Sequence, residues 1–551
     1  MGTSSCSSVL VSLISLLLSS LMFSVSLGTS NSIHGNFLHC LSINSQSNSI
    51  PFYTPNSLNY SSVLQSSINN LRYSTPTTPK PLFIIRPSQD SHIQAAVICS
   101  KKHGIEVRVR SGGHDYEGLS YVADVPFILI DLFNLRSVSV DVEDRTAWIQ
   151  SGATLGELYY GIAEKSRTLG FPAGHCPTVG VGGQFFGGGY GTIFRKYGLS
   201  IDNILDARMV DANGRILDRE SMGEDLFWAI RGGGGGSFGV VLSWKIRLVP
   251  VPPIVTVFRI EKILEQGASA LVHRWQEVAP KLPNEIFLRI SLSAVDANDK
   301  GEKTIKAIFD SMFLGVAKDL LVMMKERFRE LGLESKDCIE MSWIQSAVYF
   351  DRFAPPDSPL DILLDRTQWK GYFKGKSDFV KEPISQVGLE ELWKRLLEEG
   401  PTLILTPFGG KMNEISESET PFPHRNGTLY MIEYAVGWDG SQGSDELSQK
   451  HIDWLRKLYR YMAPFVSKSP RAAYVNYRDL DLGQSKNGTS TYSQARAWGR
   501  KYFKNNYERL VQVKSKFDPE NFFRNEQSIP SIAYLGKKVE TSSDAQLNFV
   551  M

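Results

Sequence analysis

Two hydrophobic patterns divide the chain, and they meet at Pro252 and Pro253. In the first part, short β-branched runs typical of strands alternate with stretches whose apolar residues recur at helical spacing. The helical stretch that opens on Thr154 has Glu157 three residues later, which indicates a capping box. The pattern predicts strands at 82–86, 106–110, 127–131, 198–210, 216–218 and 240–250, a hairpin turning at 143–145, and helices at 60–71, 91–103, 154–165 and 221–232.

After the two prolines the strands become longer and helices are set between them. This pattern is typical of an antiparallel sheet with one face covered by helices. Cys338 falls in a stretch with helical spacing. The pattern predicts strands at 255–262, 284–295, 304–315, 403–407, 412–414 and 427–438, and helices at 317–332, 390–399 and 451–462.

These elements predict an α+β protein of two domains, because 551 residues exceed what one core usually supports. Short aromatic-rich elements near the end of the chain are expected to dock back on the first domain. The expected division is a signal peptide at 1–28, a first domain at 29–250 with its core at 75–250, a second domain at 251–470, a returning segment at 471–532 and a flexible tail at 533–551.

Three glycine-rich loops stand out against this pattern, at 110–118, 170–191 and 231–239. The longest has nine glycines, one cysteine, one histidine and no charged residue, which fits neither an amphipathic helix nor an alternating strand. Glycine allows the backbone to approach a ligand closely and leaves N–H groups free to bind it. The loops therefore predict one large polyanionic ligand held by backbone, without a Rossmann fingerprint.

The N-terminus carries the signature of a secretory signal peptide. Residues 1–28 have no acidic or basic side chain, and the apolar, serine-rich run over 9–27 ends near Ser26 and Gly28, where cleavage is expected. An uncleaved anchor is the alternative. No later stretch is long enough to span a bilayer, so we expect no stable membrane insertion after cleavage. Glycosylation sequons at Asn59, Asn426 and Asn487 agree with secretion.

The cysteines and the net charge narrow the function further. Cys40 and Cys99 are candidates for a disulfide in an oxidising compartment, although the sequence alone does not fix the pairing. A net charge of +2 gives no electrostatic reason to expect nucleic acid as a partner.

His114 and Cys176 are two nucleophilic side chains inside the glycine loops. The only cysteine of a ligand-facing loop is expected to be reactive. We expect no metal site, because the chain has no HxxxH or CxxC spacing. A Cys-His hydrolase stays possible on spacing alone.

The loop motifs resemble those of the berberine-bridge-enzyme-like family of plant FAD-linked oxidoreductases, which includes cannabinoid-synthase-like oxidases and flavin-fold Diels–Alderases. The resemblance covers essentially the whole mature chain and rests on RSGGHDYEG, GHCPTVGVGG, GGGYG, GEDLFWAIRGGGG, YVNYRDLDLG and DPENFFRNEQSIP. It implies a vanillyl-alcohol-oxidase-type FAD domain built from both ends of the chain, with a substrate domain between.

The resemblance also implies FAD bound by two covalent bonds. His114 matches the histidine that bonds the 8α carbon, and Cys176 matches the cysteine that bonds C6. Val179 matches an oxygen-gate position where a small side chain accompanies oxidase activity with release of hydrogen peroxide. The further residues expected at the cofactor are Arg110, Ser111, Gly112, Gly113, Asp115, Gly180, Gly182, Gly183, Gly187, Gly189, Tyr190, Val240, Asn476 and Tyr477.

On the substrate side the resemblance implies a carboxylate base among tyrosines. Glu433 aligns with the glutamate or glutamine of the family's active-site strand, and we expect it to take a phenol or hydroxyl proton as hydride leaves. Tyr492 matches a base in cannabinoid-synthase relatives and is the second candidate. Tyr116, Tyr190 and Tyr477 match tyrosines beside the flavin or the base.

Three positions depart from the family pattern. Gln184 and Phe186 stand where relatives commonly carry His and Ser, and Met431 stands where many carry Lys or Glu. These residues predict an apolar pocket for a lipophilic, prenylated phenol that would be oxidatively cyclised or converted to a diene. A pericyclase that catalyses intermolecular Diels–Alder addition is the main alternative, and a carbohydrate oxidase in defence is the third.

Dioxygen is the expected co-substrate. We expect the protein to be a monomer and to act in the secretory pathway, either in the apoplast or in the vacuole.

Overall fold

The computed structural model describes residues 35–45, 50–298, 301–351, 358–439, 445–485 and 491–532. The predicted signal peptide, the sequon at Asn487 and the predicted tail at 533–551 lie outside these residues. Among the described residues, no helix combines the length and hydropathy that a membrane span requires.

The first half of the chain builds two main sheets. The four-stranded sheet has the order β1-β2-β4-β3, and the five-stranded sheet has the order β5-β6-β10-β8-β9, while β7 pairs with β11. The strands are β1 (Phe52–Tyr53), β2 (Phe83–Ile85), β3 (Glu106–Arg110), β4 (Phe127–Asp131), β5 (Val138–Asp141), β6 (Thr146–Gln150), β7 (Leu169–Gly170), β8 (Ile204–Val210), β9 (Ile216–Leu217), β10 (Val240–Arg247) and β11 (Val249–Pro250).

The second half builds one antiparallel sheet of seven strands. Its order is β15-β12-β14-β13-β17-β18-β16, and every pairing is antiparallel. The strands are β12 (Val255–Ile263), β13 (Ile286–Asp296), β14 (Lys303–Phe313), β15 (Cys338–Met341), β16 (Tyr372–Val380), β17 (Thr402–Pro407) and β18 (Tyr430–Trp438).

Helices cover these sheets. Thr154 and Glu157 form the predicted capping box at the start of the helix that follows them. The helices are α1 (35–44), α2 (Tyr60–Gln65), α3 (Asp90–His103), α4 (Leu155–Lys165), α5 (Val181–Phe186), α6 (Phe194–Tyr197), α7 (Arg219–Ile230), α8 (Ala268–Val278), α9 (Ala317–Arg327), α10 (Trp343–Tyr349), α11 (Gln386–Glu399), α12 (Asp445–Tyr461), α13 (Tyr492–Phe503) and α14 (Asn506–Phe517).

The seven-stranded sheet buries one face under helices and turns the other toward the first half of the chain. Successive side chains of a strand point to opposite faces. Ile432 and Tyr434 of β18 therefore belong to a core shared with α8, α11 and α12, whereas Glu433 and Ala435 line a cavity on the opposite face. The expected sheet with one helix-covered face is present.

The C-terminal segment packs on the first half. Lys514 of α14 is fully buried, donates to the backbone carbonyl of Ser237 at 2.6 Å and pairs with Asp518 at 2.6 Å. Arg108 of β3 pairs with Glu526 at 2.8 Å. A buried charge needs such partners, so these contacts fix the end of the chain beside the first glycine loop.

A buried ion cluster joins the two halves. Lys374 of β16 contacts Glu117 of the first glycine loop and lies 2.8 Å from Asp479 of the C-terminal segment. Lys376 pairs with the same Asp479 at 2.7 Å. Burial disfavours the charged ammonium, but Asp479 and Glu117 outweigh it and hold the pKa of Lys374 above its ordinary value. The cluster holds the loop, the sheet and the C-terminal segment together.

The structure confirms one prediction about the cysteines and corrects another. Cys40 and Cys99 form a disulfide. Cys338 lies in strand β15 instead of a helix, because it pairs with Phe258 along β12.

Further elements differ from the sequence pattern. The predicted helices at 60–71 and 317–332 end at Gln65 and Arg327. The predicted strand at 412–414 is part of a 3₁₀ turn, Gly410–Asn413. The predicted strand at 198–210 begins only at Ile204, after a 3₁₀ turn. The glycine loop at 170–191 contains the short helix α5, which starts at Val181. In each case contacts distant in sequence override the local pattern.

Candidate active site

A cavity of about 780 Å³ lies between the glycine loops and the free face of the seven-stranded sheet. One side is formed by the three glycine loops and the segment around Asn476. Strands β13, β16, β17 and β18 form the other, through Arg289, Phe373, Thr402, Ile404, Glu433, Ala435 and Gly437. The fold thus brings together segments that are more than 300 residues apart in sequence.

His114 lies on the wall of this cavity and is held as a neutral imidazole. Its Nε2 is 3.0 Å from the hydroxyl of Thr178, and its Nδ1 is 3.2 Å from Nδ2 of Asn69. An amide NH₂ group can only donate, so Nδ1 is the acceptor and Nε2 carries the proton. Burial lowers the pKa of His114 to about 4. The ring therefore offers a lone pair at Nδ1 at neutral pH.

Cys176 lies beside the same threonine. Its Sγ is 3.5 Å from the Thr178 hydroxyl, and burial raises the pKa of its thiol. Thr178 thus contacts both His114 and Cys176, and both line one cavity. Two nucleophiles from different loops are placed around one volume.

The cavity has room for a large flat cofactor. A Cβ atom on Gly183 would meet no atom within 4 Å, and Gly183 is exposed to the cavity, so this stretch of backbone is bare. Among the described residues, four buried oxygen atoms of cavity-lining side chains have no hydrogen-bond partner: Asn69 Oδ1, Ser120 Oγ, Ser151 Oγ and Gln184 Oε1. Buried acceptors normally have donors. Bare backbone, vacant acceptors and a volume within the range of ligand pockets fit FAD.

Most of the predicted cofactor residues line the cavity. Besides His114 and Cys176, they are Ser111, Gly112, Gly113, Asp115, Val179, Gly180, Gly182, Gly183, Tyr190, Val240, Asn476 and Tyr477.

Three predicted cofactor residues do not line the cavity. Arg110 is fully buried and its guanidinium binds Asp131 at 2.9 Å and two backbone carbonyls. Gly187 faces Asn476, whose Oδ1 would lie 2.0 Å from a Cβ atom, and Gly189 faces Ser200. These residues stabilise the loops and do not face the cavity.

Glu433 and Tyr116 form a pair on the opposite wall. The Tyr116 hydroxyl donates to Glu433 Oε1 at 2.6 Å, and Glu433 is only 9% exposed. Burial, with the Glu433 charge, raises the pKa of Tyr116 well above its ordinary value, so the phenol stays protonated. Gly375 of β16 makes room for this tyrosine, because a Cβ atom there would lie 2.6 Å from the Tyr116 ring.

Tyr190 and Tyr477 extend this pair into an aromatic cluster. Their hydroxyls are hydrogen-bonded to each other, and the Tyr477 ring stacks on Tyr116 with centroids 5.4 Å apart. Burial raises the pKa of Tyr190 to about 12 and that of Tyr477 well above its ordinary value. The cluster therefore supplies neutral hydroxyl groups around a single carboxylate.

Two residues singled out for the substrate side lie elsewhere. Tyr492 begins α13 and stacks on Tyr507 with centroids 5.8 Å apart, and it does not line the cavity. Met431 is 1% exposed within the hydrophobic core and does not line it either. Phe186 and Gln184 do line it. Glu433 remains the candidate base.

The sequence did not indicate several residues of the cavity. Asn69 approaches His114 from a segment without a distinctive motif. Thr178 belongs to the motif GHCPTVGVGG, but nothing in the sequence singled it out from its neighbours. Phe373 lines the cavity from β16, a strand that the hydrophobic pattern did not predict. Thr402 and Ile404 could have been found, because they alternate with the buried residues of β17.

Comparison with known proteins identifies the family. A profile described as "FAD binding domain" matches residues 81–219, and one described as "Berberine and berberine like" matches residues 473–530. The chain is 56% identical over 520 residues to tetrahydroberberine oxidase of Berberis wilsoniae, covering 93% of this chain and 97% of that protein. The chain belongs to the berberine-bridge-enzyme-like family.

Solved structures of family relatives have the same fold. BBE-like #28 from Arabidopsis thaliana is 50% identical, with a TM-score of 0.85, and covers 91% of this chain and 100% of its own. Phl p 4, described as a grass pollen allergen with glucose dehydrogenase activity, is 46% identical, with a TM-score of 0.85, and covers 90% and 99%. This berberine-bridge-enzyme-like protein is therefore a FAD-dependent oxidoreductase with the two-domain α+β fold.

Proposed function

We propose that this protein is an oxidase that removes hydride from a lipophilic phenolic substrate, such as a prenylated phenol, and passes the electrons to dioxygen. The observation that carries the proposal is the buried Glu433 carboxylate, hydrogen-bonded to Tyr116, on the wall opposite His114 and Cys176. The cavity therefore combines one base with a binding site for a redox cofactor.

His114 and Cys176 would hold FAD through two covalent bonds. The lone pair on His114 Nδ1 and the Cys176 thiol would be the nucleophiles that bond the cofactor. When bound, FAD supplies the acceptor for the hydride. Both side chains are fixed by Thr178, which would orient them before attachment.

Glu433 would accept the proton that the substrate loses. Its Oε1 is held by Tyr116 at 2.6 Å, which leaves the second carboxylate oxygen available to a substrate hydroxyl. Tyr190 and Tyr477 stay protonated at neutral pH. Because one hydroxyl donates to the other, one O–H of the pair is left to donate to the substrate oxygen. Each turnover removes one hydride and one proton from the substrate, and dioxygen takes up both as hydrogen peroxide.

Val179 supports dioxygen as the acceptor. It lines the cavity beside Cys176 and carries a small side chain. One solved relative, Phl p 4, is described as a glucose dehydrogenase in its wild-type form and as a glucose oxidase when one isoleucine is replaced by valine. A valine that admits oxygen fits an oxidase.

The aromatic lining supports a lipophilic substrate. Phe186, Phe350, Phe373 and Trp369 all line the cavity. The relative from Berberis wilsoniae is named for tetrahydroberberine, a polycyclic aromatic compound. A carbohydrate is the second candidate substrate, since Phl p 4 is described as having glucose dehydrogenase activity.

We also propose that the protein acts in the secretory pathway, in the apoplast or vacuole, as a glycosylated monomer. The Cys40–Cys99 disulfide is typical of an oxidising compartment. Asn59 and Asn426 are exposed at turns where a glycan could be attached.

Anaerobic titration of the purified protein tests the proposal. A geranylated resorcinol should bleach the flavin absorbance, and oxygen uptake should follow when air is admitted. Bleaching by glucose alone would favour the carbohydrate oxidase. Formation of a cycloadduct with no bleaching and no oxygen uptake would favour a pericyclase and contradict the proposal.

A further inference from the structure

Residues 365–371 form a strap between the two halves of the chain, and Trp369 of this strap lines the cavity. Arg366 pairs with Glu157 of α4 at 2.7 Å, and Lys370 donates to the backbone carbonyl of Gln65 at 2.8 Å. The strap belongs to the second half of the chain, and both of these contacts are to the first half. It is therefore held on both sides of Trp369.

Trp369 is the one large apolar side chain of this strap, and it is not buried. It is 49% exposed although it lines the cavity. Its indole lies directly over Gly371, where a Cβ atom would be 2.3 Å from the ring. The glycine thus allows the indole to lie flat against the strap. Half of the indole stays in solvent, so its burial contributes only part of the folding energy that a core tryptophan would.

A series of ring contacts connects Trp369 to the candidate base. The Trp369 and Phe373 rings have centroids 6.0 Å apart. Phe373 meets Tyr116 edge-on at 5.3 Å, and Tyr116 donates to Glu433. Phe373 therefore contacts both Trp369 and Tyr116. We expect a substrate with one ring that reacts beside Glu433 to make little contact with the indole.

We propose that Trp369 is a specificity-determining residue that binds the distal ring of substrates with several rings. An exposed indole face stacks well on aromatic rings. A substrate with fused or linked rings would place its reacting ring beside Glu433 and its distal ring against Trp369. This inference rests on the proposed oxidation of aromatic substrates and adds a size preference to it.

Rapid anaerobic mixing with two probes tests this inference. Tetrahydroberberine has several fused rings, and coniferyl alcohol has one. The dependence of the flavin reduction rate on probe concentration gives a dissociation constant and a limiting rate constant for each. In Trp369→Ala the dissociation constant for tetrahydroberberine should rise about tenfold, with a change of less than about twofold for coniferyl alcohol and in both limiting rate constants.

Two further variants separate recognition from folding. Trp369→Phe keeps an aromatic face and should recover most of the affinity for tetrahydroberberine. Leu364→Ala is the matched control, because Leu364 lies just before the strap, is 41% exposed and does not line the cavity. It should leave both dissociation constants unchanged.

The outcomes distinguish this inference from the proposed function. If the wild type is reduced by aromatic probes but Trp369→Ala weakens both probes equally or neither, Trp369 does not select for size and only this inference is wrong. If neither probe reduces the wild-type flavin, both the inference and the proposed aromatic substrate class are wrong.

Discussion

Replacing Glu433 by glutamine removes the proposed base with little change in shape. Glutamine has nearly the volume of glutamate. It keeps an Oε1 that can accept the hydrogen bond from Tyr116, which is 2.6 Å long in the wild type. The neighbouring residues across the sheet, Ser377 on β16 and Ile404 on β17, need not move. The amide cannot accept the substrate proton, so the variant isolates proton transfer from binding.

The size of the effect follows from the role of a positioned base. General-base catalysis contributes about 100- to 10,000-fold, which corresponds to about 3 to 5 kcal/mol in activation free energy. Glu433 is buried and cannot be replaced easily by solvent, since it is only 9% exposed. We therefore expect the limiting rate of flavin reduction to fall by about 100-fold or more, while the dissociation constant changes by less than about threefold.

Rapid anaerobic mixing with a phenolic substrate measures both constants. Glu382→Gln is the matched control, because Glu382 is an exposed glutamate just after β16 and should be replaceable without effect. Wild-type rates of flavin reduction in a folded, FAD-containing Glu433→Gln protein would refute the assignment of Glu433 as the base. A similar loss in both variants would also contradict it.

The remaining predictions concern oxygen, stability and cofactor attachment. Val179→Ile should slow reoxidation of the reduced enzyme by about tenfold or more, with little change in its reduction by substrate; equal reoxidation rates would show that Val179 is no gate. Replacing Cys40 and Cys99 by serine should lower the free energy of unfolding by about 4 kcal/mol, because the disulfide closes a loop of 59 residues; an unchanged denaturant midpoint would contradict this. Attachment of added FAD to cofactor-free protein needs the neutral His114 ring, whose folded pKa is lowered, so attachment should be retained under mildly acidic conditions and lost as the pH falls through about 4. A loss centred near the ordinary value of 6.5 would show that His114 is not buried as described.

The sequence predicted the elements whose stability is local. Strands β3 and β4 lie at the predicted residues, and the capping box of α4 forms as its residues indicate. The long strands β12, β13 and β14 were also predictable, because they are rich in β-branched and aromatic residues. Elements that depend on distant contacts were not predicted. Cys338 lies in a stretch with helical spacing but pairs with β12. Helix α5 forms in a glycine-rich stretch, where Val181, Phe185 and Phe186 are buried in the core.

The residues of the candidate site also divide into those that the sequence indicated and those that it did not. His114 and Cys176 stand in unusual loops, and their motifs indicated one shared ligand. Glu433 was found through the resemblance of its strand to a known family. Thr178, which contacts both nucleophiles, lies in a recognised motif but was not singled out within it, and Trp369 on the cavity wall carries no sequence signal. Arg110, predicted at the cofactor, pairs with Asp131 beneath the loop.

In the proposed enzyme, His114 and Cys176 each form a covalent bond to FAD. Mass spectrometry of the denatured protein measures this directly, in the wild type and in the His114→Ala and Cys176→Ala variants. We predict that the wild-type chain carries the mass of one FAD, that each single variant retains it through the remaining bond, and that the double variant loses it on denaturation. A denatured wild-type chain without attached FAD, or a double variant that keeps it, would contradict the account.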